Sequence, residues 1–359
     1  MIPYIVVIGI IALCCFLEVV SINDIDKSIG ISKRYIRKFL TFICFISLWL
    51  FGVLRSDMMG VDAYGYRVYY FETAKQYTWK EIFTHFDSDI GFFAISKTIT
   101  LITNNYWVYR SIIYTLILIL FFVAFYKKSK YISLATFLYC TTSVWFCSLY
   151  IFRQALATAI VLLGYLYFCR EKKTKKYVIS VLFAALFHKT AILALIALGV
   201  NKLRLYRGLK GERKNTIMLV VCTVGLMMAM PYLLSIYTID YSNSTEVGGR
   251  NLFILILVFS VLLSWIILRR RNKYENEEQI QHMLCTYSYS VMIQTCAMWF
   301  ALFTRTKTYF IDIISILIPE WISSYSELRL RMQWLVLILF FFSVYFFALM
   351  VKPEYLVCW

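Results

Sequence analysis

The sequence predicts an all-α, polytopic integral membrane protein, and three observations carry this prediction. Hydrophobic residues make up 61% of the 359 residues and charged residues only 16%, which is more apolar surface than a soluble chain of this length buries. Apolar runs of about 16 to 22 residues recur from end to end, close to the ~20 that cross ~30 Å of hydrocarbon. The alternating pattern of an outer-membrane barrel, in segments of about 10 residues, is absent.

The charges predict the orientation of these runs. The net charge is +17, and the lysines and arginines cluster in short connectors between apolar runs. Such clusters are typical of cytoplasmic loops. No long basic tail or soluble domain is present, so we expect no nucleic-acid partner. The basic connectors are 23–38, 127–130, 170–176, 201–214, 269–273 and 326–331.

The apolar runs define one transmembrane domain over 1–359, with about eleven to thirteen helical segments. The first run lacks a basic leader and a small-residue cleavage site, so we interpret it as a span and not a signal peptide. The acidic segment 55–89 follows an outward span and is predicted to be the main extracytoplasmic loop, with 238–250 as the second. The predicted spans are 2–22, 39–54, 106–126, 131–149, 216–237, 251–268, 280–302, 308–323 and 332–351, together with a helix that has Arg153 at its outer end and runs to Cys169.

Two further segments do not fit as full spans. The run 90–104 is short, and only one net crossing links residue 89 to residue 127, so we expect a re-entrant or interfacial helix. The run 177–200 has strongly basic connectors on both sides, which favours two half-helices that turn near His188. The alternative for 177–200 is one ordinary span that breaks the charge rule.

Cysteine and histidine patterns indicate neither a metal nor a cofactor. The ten cysteines are scattered, most of them in apolar runs, and no CxxC occurs. The three histidines show no ligand spacing with one another. We therefore predict chemistry without a metal or cofactor.

A minority of charges lie where orientation does not require them. Arg55, Arg153 and Arg305 fall at the outer ends of separate predicted spans. A planar fork of donors suits a phosphate or diphosphate, so the three could converge on one outer cavity. The alternative is that each arginine extends to the lipid headgroups or pairs with a nearby acid. Alanines follow Arg153 at 155, 157 and 159 and predict close helix packing.

The segment 55–89 also combines carboxylates with aromatic rings. Asp57 and Asp62 lie in a stretch that contains four tyrosines between 64 and 70. Rings that stack on sugars, together with acceptors for hydroxyl groups, are suited to a carbohydrate site. The alternative is an interfacial aromatic belt, as expected in a chain with 28 Tyr and 29 Phe.

Five motifs, in order along the chain, resemble those of the EpsG family of Wzy-type polysaccharide polymerases. Residues 54–66 resemble an arginine followed by G-x-D and a tyrosine, here Arg55, Gly60, Asp62 and Tyr66. Residues 89–93 resemble E-P-G-[FY], with Asp89 for the acid and Ile90 for the proline. The other three are FRQALA at 152–157, FHKTA at 187–191 and RTKTYF at 305–310, which resemble L-R-Q-x-[LI]-A, F-H-x-S-A and R-x-x-x-Y-F.

The resemblance implies a membrane glycosyltransferase of bacterial O-antigen, capsule or exopolysaccharide synthesis. It would join undecaprenyl-diphosphate-linked oligosaccharides on the outer face of the cytoplasmic membrane, beside a flippase and a chain-length regulator. Arg153, Arg305 and Arg55 would hold the diphosphate, and Asp62 or His188 would accept the hydroxyl proton. The other predicted substrate contacts are Gln154, Tyr309 and Tyr66.

Two rival functions share the same lipid-linked substrate. An O-antigen ligase would use a different acceptor and usually has a larger outer loop than the 55–89 segment. A flippase or transporter would show pseudo-repeats and charges through the whole membrane depth, whereas the unexplained charges here collect on one side.

Overall fold

A computed structural model describes residues 2–24, 33–56, 62–85, 89–206, 208–236, 263–264, 266–269, 274, 276–296 and 307–347. Within these ranges the secondary structure is helical and contains no strand, which confirms the predicted all-α class. The predicted outer loop 238–250 and the predicted span 251–268, apart from its last residues, lie outside the described residues.

The helices are numbered here in chain order. Two of them include a π-helical stretch: α3 contains Tyr66–Glu72, and α9 consists of Phe152–Gly164 followed by Tyr165–Cys169. A 3₁₀ helix, Lys189–Leu195, precedes α11. The bounds are α1 Ile2–Asp24, α2 Lys33–Leu54, α3 63–76, α4 Trp79–His85, α5 Ile90–Thr100, α6 Tyr106–Lys128, α7 Ile132–Thr141, α8 Ser143–Tyr150, α9 152–169, α10 Thr174–Ala185, α11 Ile196–Lys202, α12 Gly208–Ile236, α13 Glu277–Cys296, α14 Thr308–Ile311, α15 Ile314–Ser323 and α16 Leu328–Tyr345.

Long apolar helices confirm the polytopic architecture. Among the described residues, α1, α2, α6, α9 and α16 are each long and apolar enough to cross a membrane. The predicted span 131–149 is broken into α7 and α8, which are bent by 69° and together count as a sixth candidate. The predicted span 308–323 is likewise divided, into α14 and α15. The described chain therefore has more and shorter helices than hydropathy alone indicated.

A buried carboxylate fixes the start of α7 against α1. Glu18 is almost fully buried and accepts hydrogen bonds from the backbone nitrogens of Ile132 at 2.9 Å and Ser133 at 2.7 Å. The first N–H groups of a helix have no partner within the helix, so a side chain from a neighbouring helix must satisfy them in an apolar core. This contact ties α1 to the centre of the bundle.

The segment 174–202 forms a helical hairpin, as predicted from the basic connectors on both sides. Asn201 Nδ2 donates to the carbonyl of Cys169 at 2.8 Å, and Tyr177 Oη donates to the carbonyl of Ala194 at 2.8 Å. The chain therefore leaves the end of α9, turns and returns to the same end. The turn is at His188, whose backbone is extended with φ −155° and ψ 110°.

The tip of this hairpin meets the short helix α5. The backbone nitrogen of Gly91 donates to the carbonyl of Leu186 at 2.9 Å. A Cβ atom at Gly91 would lie 3.0 Å from the Cβ of Leu186, so any larger residue at this position would push the hairpin tip away from α5. At 11 residues α5 is too short for a full span, as the sequence predicted.

Candidate active site

Arg153 lies in the first turn of α9, and a tyrosine from α3 satisfies the helix end. Ile151, which precedes the helix, has no side chain able to cap it. The hydroxyl of Tyr66 instead accepts from the backbone nitrogen of Arg153 at 3.2 Å and from its Nε at 3.4 Å. Burial raises the pKa of Tyr66 to about 12, although the Arg153 charge opposes this, so the phenol is neutral at physiological pH. Tyr66 therefore positions both the backbone and the side chain of Arg153.

Further contacts fix the Arg153 guanidinium in its plane. Nη1 donates to Oδ2 of Asp89 in an ion pair, and the guanidinium carbon lies 4.9 Å from the ring centre of Tyr70. The side chain keeps 27% of its exposure. A guanidinium has five N–H donors. Two of them are used by Tyr66 and Asp89, and no described residue accepts from the other three, which leaves them available to an anionic ligand.

Asp89 connects α5 to this arginine through an unusual backbone conformation. Its φ is 60° and its ψ 25°, the left-handed region that aspartate tolerates better than most residues. Burial disfavours ionisation, but the neighbouring His188 and Arg153 outweigh it and hold the pKa of the Asp89 carboxyl below its ordinary value. The group is therefore a carboxylate at neutral pH.

His188 approaches the other oxygen of the same carboxylate. Its Nδ1 lies 3.9 Å from Asp89 Oδ1, which is longer than a hydrogen bond. Both atoms are buried, and neither has a hydrogen-bond partner among the described residues. The His188 side chain is 17% exposed, and because Nδ1 is buried this exposure belongs to the rest of the side chain.

Behind this cluster, two hydrogen bonds join three of the sequence motifs. Gln154 Nε2 donates to Thr308 Oγ1 at 2.8 Å, which links the FRQALA motif to α14. The hydroxyls of Thr190 and Tyr309 lie 2.9 Å apart, which links the FHKTA motif to the same helix. Gln154 and Tyr309 are buried, so in this structure they organise the cluster from behind.

Arg55 lies beside the cluster but is buried. Its guanidinium donates to the carbonyl of Leu149 and lies over the ring of Phe152 at 5.7 Å. The buried guanidinium of Arg110 in turn donates to the carbonyl of Arg55 at 2.9 Å and to that of Ser56 at 2.8 Å. Arg55 thus contacts the residue before Arg153 and does not share a described ligand-facing surface with it.

The remaining predicted site residues are not brought into the cluster by any described side-chain contact. Asp62 is half-buried, and its carbonyl accepts from the backbone nitrogen of Tyr66 at 3.1 Å. Arg305, Asp57 and Gly60 lie outside the described residues. The binding and catalytic roles given to all these positions stay predictions.

Two members of the cluster were not among the predicted site residues. Asp89 was recognised only as part of a motif, and Tyr70 only as one of several tyrosines. Asp89 lies two residues before Gly91 and ahead of an apolar run. This combination was the signal that could have singled out Asp89. Nothing in the sequence could have revealed that Tyr70 stacks on Arg153.

The described side chains of the types that bind metals do not form a metal site. Among the described residues, no three His, Cys, Asp or Glu side chains are placed to hold a metal ion. Metal independence itself stays a prediction.

Comparison with known families decides the assignment. The model of the EpsG family matches residues 38–358, nearly the whole chain. The chain belongs to the EpsG family. No curated protein and no solved structure matches it significantly.

EpsG is a Wzy-type polysaccharide polymerase family, as the ordered motifs predicted. Membership supports a general role in polysaccharide synthesis and a glycosyltransferase type of activity for this EpsG chain. The match includes all five motifs, and with them Arg153, Asp89 and His188.

Proposed function

We propose that the protein is a polysaccharide polymerase that joins undecaprenyl-diphosphate-linked oligosaccharide repeat units on the outer face of the bacterial cytoplasmic membrane. The observation that carries this proposal is the guanidinium of Arg153, which is fixed in place but still has N–H donors without a described acceptor. Tyr66, Tyr70 and Asp89 fix its plane, and three of its N–H groups have no described acceptor. A fork of this kind suits the oxygens of a diphosphate.

In the proposed reaction, a hydroxyl of the acceptor sugar attacks the anomeric carbon of the donor. The new carbon–oxygen bond forms as the bond to the diphosphate breaks, and undecaprenyl diphosphate leaves with the electron pair. Diphosphate is a good leaving group, so the main requirement is to stabilise the charge that develops on it. Arg153 supplies this stabilisation, with Arg305 as a second candidate. We assign Arg55 a positioning role, because its guanidinium donates to the carbonyl of Leu149 and lies over the ring of Phe152.

We assign the role of general base to His188 in preference to Asp62. An imidazole nitrogen with a free lone pair is suited to accept a hydroxyl proton. His188 lies at the hairpin tip, beside the carboxylate that also holds Arg153. Asp62 forms no described side-chain hydrogen bond or ion pair with that cluster, and its charge acts on the Tyr66 hydroxyl from a distance.

Two features support an outward-facing site. Arg153 begins α9, and the basic segment 170–176, predicted to be cytoplasmic, follows the other end of the same helix. The hairpin has both ends near Cys169 and its tip at His188, at the Arg153 end. The cluster and the basic segment 170–176 therefore lie at opposite ends of α9.

Reconstitution with a lipid-linked substrate tests the proposal. The purified protein is placed in liposomes with the undecaprenyl-linked repeat unit isolated from cells that lack this polymerase. We expect a ladder of products that differ by one repeat unit. Transfer only to an acceptor other than the repeat unit would indicate a ligase, and transbilayer movement without a new glycosidic bond would indicate a flippase. Either result would overturn the proposal.

Substitution of Arg153 tests the role of the guanidinium. Arg153→Ala removes the charge next to the leaving group, and we expect polymerisation to fall by about 100- to 1,000-fold. Arg153→Lys keeps the charge but loses the planar fork, so we expect only a small part of the activity to return. Arg67→Ala, which removes an arginine of α3 that stacks on Tyr106, serves as the control. Full polymer length from Arg153→Ala in complemented cells would exclude the diphosphate role.

A further inference from the structure

We propose that Asp89 is a positioning residue shared by the two functional side chains, holding Arg153 with one carboxylate oxygen and orienting His188 with the other. This inference rests on the proposed function, since it assigns Arg153 and His188 the leaving-group and base roles. It goes beyond the proposed function by giving Asp89, which was not a predicted site residue, a role toward His188 as well as toward Arg153.

The arrangement of the carboxylate is the first argument. Oδ2 of Asp89 accepts from Nη1 of Arg153, whereas Oδ1 is buried and has no hydrogen-bond partner in the described part of the chain. It faces Nδ1 of His188 at 3.9 Å. A buried carboxylate oxygen without a donor carries a substantial energetic penalty. The Nδ1 atom of His188, which faces this oxygen, likewise has no hydrogen-bond partner on any described residue. A small closure of the hairpin tip brings them into hydrogen-bond distance.

The protonation of the imidazole is the second argument. A neutral histidine carries its proton on one nitrogen and offers a lone pair on the other. A carboxylate next to Nδ1 selects the form protonated at Nδ1, which leaves Nε2 to accept the proton of the acceptor hydroxyl. After the transfer, the same carboxylate stabilises the imidazolium. The exposure of the side chain away from Nδ1 leaves room for a substrate there.

The backbone is the third argument. The left-handed conformation of Asp89 turns its side chain toward both partners just before α5 begins, and the hydrogen bond from Gly91 to Leu186 brings the hairpin tip alongside. Non-glycine residues in this conformation are uncommon and tend to occur where the surroundings require them. Asp89 is thus fixed by its own chain and by the segment that carries His188.

A kinetic cycle tests the proposal in the reconstituted ladder assay. The variants are Asp89→Asn, which suits the left-handed conformation but removes the charge, His188→Ala, and the double substitution. We expect each single change to lower kcat by about 100-fold. The double variant should lose clearly less than the product of the two single losses, because part of the effect of Asp89 on the chemical step runs through His188. The donor KM should rise in Asp89→Asn and in the double variant alike, because that effect runs through Arg153.

The outcomes separate this inference from the proposed function. No ladder from the wild-type protein defeats the proposed function itself. If the wild-type protein forms a ladder, two results overturn the orienting role. One is a kcat of Asp89→Asn within about threefold of wild type, and the other is a double variant whose loss equals the product of the two single losses. An unchanged donor KM overturns the Arg153 half. Thermal unfolding checks that the variants fold, and Asp89→Gly, which also accepts the left-handed conformation, replaces Asp89→Asn if that variant does not.

Discussion

Tyr66 shows how a single hydroxyl can support a charged side chain at a helix end. It accepts from two nitrogens of Arg153, and its ring stacks on Tyr70, which itself lies under the guanidinium. The ring is buried, so the hydroxyl has no bulk water to replace these contacts. A loss of the hydroxyl therefore leaves Arg153 less well fixed while its charge remains.

We expect Tyr66→Phe to reduce polymerisation without unfolding the protein. A hydrogen bond to a charged group contributes about 1.5–3 kcal/mol, so the rate should fall by about 10- to 100-fold. The effect should be smaller than that of Arg153→Ala, because the guanidinium is still present. The ladder assay measures the rate. Tyr64→Phe is the matched control, since Tyr64 is exposed in the same helix and should keep wild-type activity. Equal activities of the two variants would contradict the role given to Tyr66.

At Asp89 the chain departs from the acid–proline pair of the motif that it resembles, and the structure supplies a physical reason. A residue before proline is restricted to extended conformations. The left-handed conformation of Asp89 is therefore compatible with isoleucine at position 90 but not with proline. The sequence reveals the substitution, whereas the backbone change that accompanies it is visible only in three dimensions.

At the scale of elements, the sequence predicted two of the irregular segments and missed a third. The charge of the connectors predicted the break near His188, and the length of 90–104 predicted a short helix, because both follow from membrane thickness. The break between α7 and α8 was missed, since 131–149 contains no charge, proline or glycine, and the short polar run 141–143 at the break does not interrupt its hydropathy. Hydropathy averages over a whole span, and a bend within it depends on neighbouring helices.

The contact between α5 and the hairpin tip gives a prediction at this scale. Gly91→Ala places a Cβ 3.0 Å from the Leu186 Cβ and 3.1 Å from its carbonyl oxygen, so the two elements must separate by a few tenths of an ångström. This moves His188 away from Asp89, and we expect the polymerisation rate to fall about tenfold. Thermal unfolding should change little, because the contact is local.

Gly199→Ala is the matched control for this substitution. A Cβ at Gly199, in α11 of the same hairpin, has no atom within 4 Å. Alanine within a helix is favoured over glycine by about 0.5–1 kcal/mol, so activity should be kept and stability slightly raised. If both variants polymerise alike, the close approach at Gly91 does not serve the site.

At the scale of the whole molecule, the motifs are distant in sequence but converge in space. They converge because two helices begin, and the hairpin turns, at the same place. The start of α9 brings Arg153, the hairpin tip brings His188, and the start of α5 brings Asp89. Composition and charge predicted the class of protein, and the ordered motifs predicted the family. The pairing of Asp89 with both partners could not be predicted, because it depends on helix packing across about a hundred residues of chain.

The hairpin also makes a prediction about the sides of the membrane. Lys173 and Lys202 are exposed near the two ends of the hairpin, which the contact of Asn201 with Cys169 brings together. Both positions should therefore face the cytoplasm. Lys80, exposed in α4 of the predicted outer segment, should face outward.

Cysteine labelling in intact cells distinguishes these sides. Each lysine is replaced singly by cysteine, and the cells are treated with a membrane-impermeant maleimide, with the wild-type protein and its ten cysteines as the background. We expect Lys80→Cys to be labelled directly, and Lys173→Cys and Lys202→Cys only after the cells are permeabilised. An ordinary span over 177–200 would expose one end of the segment to the outside. Labelling of either Lys173→Cys or Lys202→Cys in intact cells would thus contradict the hairpin. It would also contradict the proposed position of His188 beside Arg153 on the outer face.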